Sequence, residues 1–310
     1  VGQYRTIYGM ALLYAVTIGF SFLFTKRALQ YADPVDTMAF RFALSLLVIA
    51  LPVMTGRIKL GLRRGDWLRL LPVGLLYPTV FFGFQAYGLT FATSSEAGIY
   101  QATSPIFTLV LAGLLLRERA SRMQKLAVLS SVAGVVFIMA MSGASVHGAS
   151  LGGAGLLLLS TVALSLYSVL VRRLRSEFTA YQMSYVMMAV GCTSFGVLAV
   201  GRHAYAGTVG GMLEPLSQGG FIWPLLYIAL LSSVASSMLS NCLLSKIEAY
   251  KMSLFVNLGT FVSIAAGVAI EHDRLAYYHM IGALLIIGGV LAVHAPRRKT
   301  HTSALEVEAG

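Results

Sequence analysis

The chain has 310 residues, 57% of them apolar and only 11% charged, with a mean hydropathy of +0.77 and a formal net charge of +11. Soluble domains carry about 25% charged residues, so there is too little polar surface here to coat a globule in water. An ordinary soluble enzyme, a disordered chain and a disulfide scaffold are excluded, and an integral membrane protein is indicated.

A helix that crosses ~30 Å of hydrocarbon needs about 20 mostly apolar residues. Runs of that kind fall at 7–28, 35–55, 68–89, 95–116, 123–142, 151–171, 180–200, 222–244, 252–270 and 278–295. Barrel strands would alternate apolar and polar residues over ~10 positions, and runs such as Leu109 to Leu116 do not.

The first span carries Thr17 and Ser21 near Phe20 and Phe24. Lys26 near its end is expected to snorkel to the interface, or else to attract a substrate carboxylate. The second span follows Asp33-Pro34 and holds Arg41 two turns in, where pairing with Asp36 or with helix-end carbonyls is expected. The third places Tyr77, Phe81 and Phe84 on one face with Gln85 beside it, and carries Pro78 at mid-span.

The fourth span opens on Thr93-Ser94-Ser95-Glu96, a capping box, which assigns Glu96 to the helix end. Ser94, Gly98, Gln101, Pro105 and Thr108 then form one stripe, with Tyr100 and Ser104 beside it. The fifth is nearly free of side-chain polarity and starts at a similar box, Ser121 to Gln124. The sixth carries Thr161, Ser165, Ser168 and Tyr167, and the seventh leads into a long Gly-rich connection, Gly201 to Gly220.

The eighth span holds Ser233, Ser236, Ser237, Ser240 and Asn241; the ninth, entered by a box at Ser245 to Glu248, holds Ser253, Asn257, Thr260 and Gly267. The tenth is again almost wholly apolar. Small and polar residues mark packed or cavity-facing helix surfaces in lipid. Spans one, three, four, six, eight and nine are therefore placed around a central cavity, with five and ten at the lipid edge.

Counted on alternate connections, Lys and Arg divide 18 to 4, the four being Lys26, Arg27, Arg202 and Arg274 with Arg41 inside a span. This obeys the positive-inside rule with both termini cytoplasmic and accounts for the basic charge without nucleic acid. A repeat is visible in Lys26-Arg27-Ala28-Leu29 against Arg172-Arg173-Leu174-Arg175, and in Gly134-Val135 against Gly289-Val290. The expected fold is an all-α integral membrane protein of ten transmembrane helices in two inverted five-helix repeats. Residues 1–142 form the first repeat, 143–150 a connecting loop, 151–296 the second repeat and 297–310 a cytoplasmic tail.

Five-helix units in tandem enter the membrane from opposite sides, an arrangement of secondary transporters with a midplane site between repeats. Pro78, Pro105 and Gly259, the last matching Pro105 in the second half, are the expected helix interruptions, and hence gating or hinge positions, the alternative being a simple kink or close packing. Acidic and histidine residues sit at predicted helix ends or in loops, so no intramembrane relay is visible and an uncoupled carrier is favoured. Cys192 and Cys242 lack metal-type spacing, and neither metal nor cofactor is expected. Ser232 to Ser240 offers nucleophiles without a base at mid-depth, and Gly-x-Ser-x-Gly is absent, so no catalytic residues are assigned.

Pro34…Phe40-Arg41-Phe42, Ala86-Tyr87-Gly88-Leu89, Pro105, Arg117-Glu118-Arg119 and Gly134-Val135 together resemble the drug/metabolite transporter superfamily in its ten-helix EamA-like branch. The second half keeps Glu271 and Gly289-Val290. It replaces Pro34 and Arg41 by Ala180 and Met187, and the family's first-span Trp-Gly is Tyr14-Ala15. The resemblance implies export of amino acids or related small metabolites across a bacterial inner membrane, and within the branch it is greatest to aromatic amino acid exporters. On that expectation Phe20, Phe24, Tyr77, Phe81, Tyr100 and Tyr167 receive an apolar or aromatic side chain. Gln101, Ser104, Ser237 and Asn257 hold amino and carboxyl groups. The expected partners are a small-molecule substrate and the lipid bilayer. The rival readings are a drug or sugar-phosphate carrier of the same superfamily, and a non-transport receptor or scaffold.

Overall fold

The computed structural model describes residues 2–115, 149–247, 249–272 and 275–294, with scattered positions between 123 and 141. Among these residues the structure is helical and contains no strand. The helical rods are α1 (Gly2–Ala28), α2 (Pro34–Met54), α3 (Arg64–Leu89), α4 (Ser94–Leu115), α5 (Ala149–Leu174), α6 (Ala180–Ala206), α7 (Gly219–Lys246), α8 (Ala249–Ile270) and α9 (Tyr277–His294). α5 to α9 are the predicted sixth to tenth spans. The fifth, 123–142, lies outside the described residues apart from isolated helical positions, as do its capping box and the loop 143–148. Seven of the rods, α1 to α7, are long and apolar enough to cross a membrane.

Local chemistry sets the ends. Asp33 caps α2, its side chain accepting from the backbone N–H groups of Val35 (2.9 Å) and Asp36 (3.2 Å), with Pro34 in the first turn where no N–H is needed. Thr93 and Glu96 form the expected reciprocal box, at 2.8 and 3.1 Å. Thr179 and Gln182 form another at α6. The connection expected from Gly201 is shorter than predicted, because α6 continues to Ala206 before Gly207 ends it at φ +68°. Two short 3-10 turns, Val209–Gly211 and Glu214–Ser217, follow.

Contacts between termini divide into two sets. At one end, hereafter the Asp33 end, Arg202 meets Asp33 and Asp36, Arg27 meets Glu271 at 2.7 Å, Lys26 donates to the Ala92 carbonyl at 3.0 Å, and His279 lies beside Glu96. At the other, the Arg69 end, Arg69 pairs with Glu177, Gln182 bonds the Leu60 carbonyl and Arg172 the Ile247 carbonyl. α4 leaves the bundle at the Arg69 end and α5 enters it at the Asp33 end.

With little hydrophobic drive between helices in lipid, close approach through small residues and interhelical hydrogen bonds carry the packing. α1 and α8 cross at Gly19 and Gly259. A Cβ on Gly19 would lie 2.5 Å from the Val262 Cβ and 2.6 Å from the Gly259 carbonyl. The interruption expected at Gly259 is absent, since α8 is continuous there. Its lack of a side chain admits Ile18 and the Ala15 carbonyl of α1 instead. α4 meets α8 through Thr260 and Ser263, which donate to the carbonyls of Gly98 (3.0 Å) and Ser94 (2.8 Å).

The interruptions that do occur are in α3, α4 and α7. α3 opens into a π turn at Leu75–Val80 around Pro78, where Tyr77 leaves helical geometry at φ −138°, ψ 108°. α7 opens likewise at Tyr227–Ala235. α4 breaks at Ala102–Thr103, after Ser94–Gln101, and restarts with Ser104-Pro105. Proline has no N–H to continue the ladder and fits the first turn of a helix.

Candidate functional site: a cavity between the broken helices

The π turns of α3 and α7 bring a cavity to the middle of the bundle. It is lined by Tyr14, Ile18 and Ser21 of α1, Tyr77, Phe81, Phe82 and Gln85 of α3, Gln101 of α4, Leu164 of α5 and Ser232 of α7. Its free volume is about 10 Å³, enough for about one water molecule. The site is therefore contracted, and a larger solute requires its walls to part.

Of the residues expected to bind substrate, Tyr77, Phe81 and Gln101 line this cavity. Tyr167 lies one layer away, its ring stacked on Tyr77 with centroids 4.6 Å apart. Its hydroxyl donates to Asn241 Oδ1 at 2.8 Å. Phe24 lies elsewhere, stacked on Tyr227 at 4.1 Å and lining a wider crevice of about 470 Å³ at the Asp33 end. Tyr100 packs with Phe22, Leu89 and Ile99 in a separate apolar cluster.

Ser104 sits 3.2 Å, oxygen to oxygen, from Ser165, and Ser237 donates back to the Val234 carbonyl of its own helix. Phe20 is half-buried outside the cavity lining. Asn257 is on α8, with its side chain outside the described residues, and no described residue of α8 lines the cavity.

Sequence reasoning missed Tyr14, Ile18, Phe82, Leu164 and the particular part played by Ser232. The signal for Phe82 was hidden by the helical period. Tyr77, Phe81 and Phe84 share a face only if the helix is regular. The π turn and the non-helical Tyr77 shift the register, so that Phe82 and Gln85 turn inward.

Arg41 is the most unusual side chain beside the site. It is 0% exposed and does not reach Asp36, correcting that expectation; Asp36 is engaged by Arg202 (2.6 Å) and His203 (2.9 Å). Instead Arg41 Nε donates to Ser233 Oγ at 2.7 Å, and Nη2 donates to Ser232 Oγ at 2.9 Å and the Ser232 carbonyl at 3.2 Å. Its guanidinium carbon lies 3.8 Å from the centre of the Phe82 ring. Nη1 is buried and has no hydrogen-bond partner among the described residues.

Ser233 and Ser236 donate in turn to the carbonyls of Ile228 (2.8 Å) and Ser232 (2.6 Å), within the opened stretch of α7. Among the described residues no carboxylate forms an ion pair with Arg41. Burying a cation without a counter-charge costs several kcal/mol, which neutral hydroxyls and a cation–π contact of about 0.5–2 kcal/mol offset only in part.

Polar groups elsewhere are mostly satisfied locally. Ser21, Thr161 and Ser168 donate back to carbonyls of their own helices, while Asn241 Nδ2 donates to Ser184 Oγ at 2.9 Å. Glu96 lies 3.3 Å from His279 Nε2 at the Asp33 end. Among the described residues no group of three or more His, Cys, Asp or Glu side chains is placed to hold a metal ion. Cys192 and Cys242 are both free thiols.

The EamA-like transporter family matches residues 5–140 and again residues 151–294; α3 lies within the first match and α7 within the second. The chain is 44% identical over 289 residues, 93% of each chain, to a Bacillus subtilis (strain 168) protein named uncharacterized transporter YcxC. It is 25% identical over 299 residues to the uncharacterized transporter YyaM of the same organism, and 22% identical over 275 residues to an uncharacterized transporter of Archaeoglobus fulgidus. These alignments cover 93% and 89% of this chain, and 93% and 94% of those relatives. A solved structure described only as "Crystal structure of protein" shares its fold at a TM-score of 0.67 and 16% identity, covering 93% of this chain and 96% of that one.

Proposed function

Because the chain belongs to the EamA-like transporter family and is a membrane transporter of the drug/metabolite type, we propose that it exports amino acids, aromatic ones among them, or related small metabolites across the inner membrane by alternating access. The observation that carries this reading is the contracted central cavity. Its walls combine aromatic faces (Tyr14, Tyr77, Phe81, Phe82) with neutral polar groups (Ser21, Gln85, Gln101, Ser232), a lining suited to a small amphipathic solute.

The two π turns support a mechanism in which α3 and α7 flex there. Opened turns have weak backbone ladders and cluster at functional sites, so they are the natural points for the walls to part and re-form. The flanking breaks at Pro78 and before Pro105 are the proposed hinges. Gly259 is assigned to helix crossing. In the proposed orientation the Asp33 end faces outward and the basic Arg69 end, with both termini, faces the cytoplasm. The proposed architecture is two five-helix halves of opposite orientation.

Counterflow in proteoliposomes tests the reading. Vesicles preloaded with an unlabelled amino acid panel should accumulate labelled L-phenylalanine or another panel member above protein-free vesicles, and equal accumulation in both would reject amino acid transport.

A further inference from the structure

We infer that the solute binds as a carboxylate, and that Arg41 Nη1 with the hydroxyl of Ser232 is the group that receives it. This inference deepens the reading above and rests on it: it names the charged group of the solute that the central site takes.

Three observations converge. Arg41 is wholly buried, carries a fixed positive charge, and among the described residues contacts only neutral groups. One of its nitrogens, Nη1, is left without a partner among them, although a buried donor is normally hydrogen-bonded. Two of the residues against which the guanidinium rests, Ser232 and Phe82, are also cavity walls. The cation is thus one side chain behind the cavity surface.

The serines that hold it lie in the π turn of α7, where the regular α ladder of that helix is interrupted. Widening the cavity at Phe82 and Ser232 brings the free Nη1 to the solute. Nη1 keeps its N–H donors for a carboxylate oxygen, and a charge-assisted N–H···O bond of that kind is roughly twice as strong as a neutral one. A cationic solute would meet an uncompensated positive charge there, so amines without a carboxylate are disfavoured.

The test uses the purified wild-type protein in detergent, read as thermal stability against concentration of L-phenylalanine, phenylacetate and phenethylamine, with sodium phosphate and sodium chloride as inorganic anions. L-phenylalanine and phenylacetate should stabilise the protein and phenethylamine should not. Arg41→Lys, which keeps the charge but not the Nη1 donor, should raise the half-effective concentration about tenfold, as loss of one strong hydrogen bond implies. Arg41→Gln should abolish the effect.

Phenethylamine acting as well as phenylacetate overturns the carboxylate assignment while leaving amino acid transport standing. Stabilisation by phenylacetate without any by L-phenylalanine overturns the amino acid reading and leaves the carboxylate. Phosphate or chloride matching phenylacetate reduces the site to an inorganic-anion site, and a flat response to every probe rejects it. Should both Arg41 variants fail to fold, the wild-type comparison decides by itself. Ser232→Ala, which keeps the cation, should weaken phenylacetate several-fold; an unchanged response contradicts the assignment.

Discussion

Tyr167 on α5 donates its hydroxyl to Asn241 Oδ1 on α7 at 2.8 Å, and the Asn241 amide nitrogen passes the connection on to Ser184 of α6 at 2.9 Å. This chain closes the Arg69 side of the cavity beneath Tyr77, whose ring stacks on Tyr167. Asn241→Leu strips partners from two buried hydroxyls and should destabilise the fold by about 1–3 kcal/mol. Tyr167→Phe should cost a comparable amount, and the double variant less than the sum, because both remove the same bond. Thermal unfolding of the purified variants measures all three.

Gly19 and Gly9 lie on the same helix and predict opposite outcomes. A Cβ at Gly19 meets Val262 and the Gly259 carbonyl at 2.5–2.6 Å, whereas at Gly9 nothing lies within 4 Å. Gly19→Ala should therefore destabilise by about 1–3 kcal/mol through overpacking of α1 on α8. Gly9→Ala should be neutral or stabilising by roughly 0.5–1 kcal/mol from helix propensity. Melting temperatures of the two variants compared side by side check this.

Gln101 lines the cavity and is 6% exposed. Gln101→Leu should lower transport about tenfold or more, the equivalent of one polar contact, with expression and melting temperature close to wild type. Asn257→Leu is predicted to behave in the same way. Counterflow rates normalised to protein in the vesicle check both, and wild-type flux in both would show that the substrate lies elsewhere.

Asp33 caps α2 and pairs with Arg202. Burial pushes its carboxyl up, but Arg202 and the backbone N–H of Asp36 outweigh that and hold it below the ordinary carboxylate range. Its stabilising contribution is thus complete above the unfolded pKa of about 3.9 and is lost as the pH falls through the lowered folded value. Asp33→Ala should cost about 0.5–2 kcal/mol at neutral pH and remove this part of the acid lability. Unfolding midpoints at pH 7 and below pH 4 measure the difference.

The helices were legible in the sequence because lipid imposes one dominant signal, apolar length, and nine of the predicted spans coincide with described helices to within a few residues. The stops were legible where they depend on local chemistry, as at Asp33 and Thr93. The cavity was less so. Regular periodicity cannot foresee a π turn, and it therefore kept Phe81 while missing Phe82. Nor does it tell a serine that lines a cavity, such as Ser232, from one that bonds back to its own helix, such as Ser237. At Gly259 the close-packing alternative is the one the structure shows, for a related reason: glycine marks both flexible and close-packed sites, and here the partner helix decides.

Passage of solute through the cavity by alternating access is tested most directly at Ser21, a cavity-lining residue whose hydroxyl bonds only back to the Ile18 carbonyl. In a background with Cys192 and Cys242 replaced by alanine, Ser21→Cys should be labelled by a membrane-impermeant thiol reagent from either face of oriented vesicles during turnover, and saturating substrate should slow that labelling. Labelling confined to one face under turnover, or unaffected by any solute that is transported, would contradict the account.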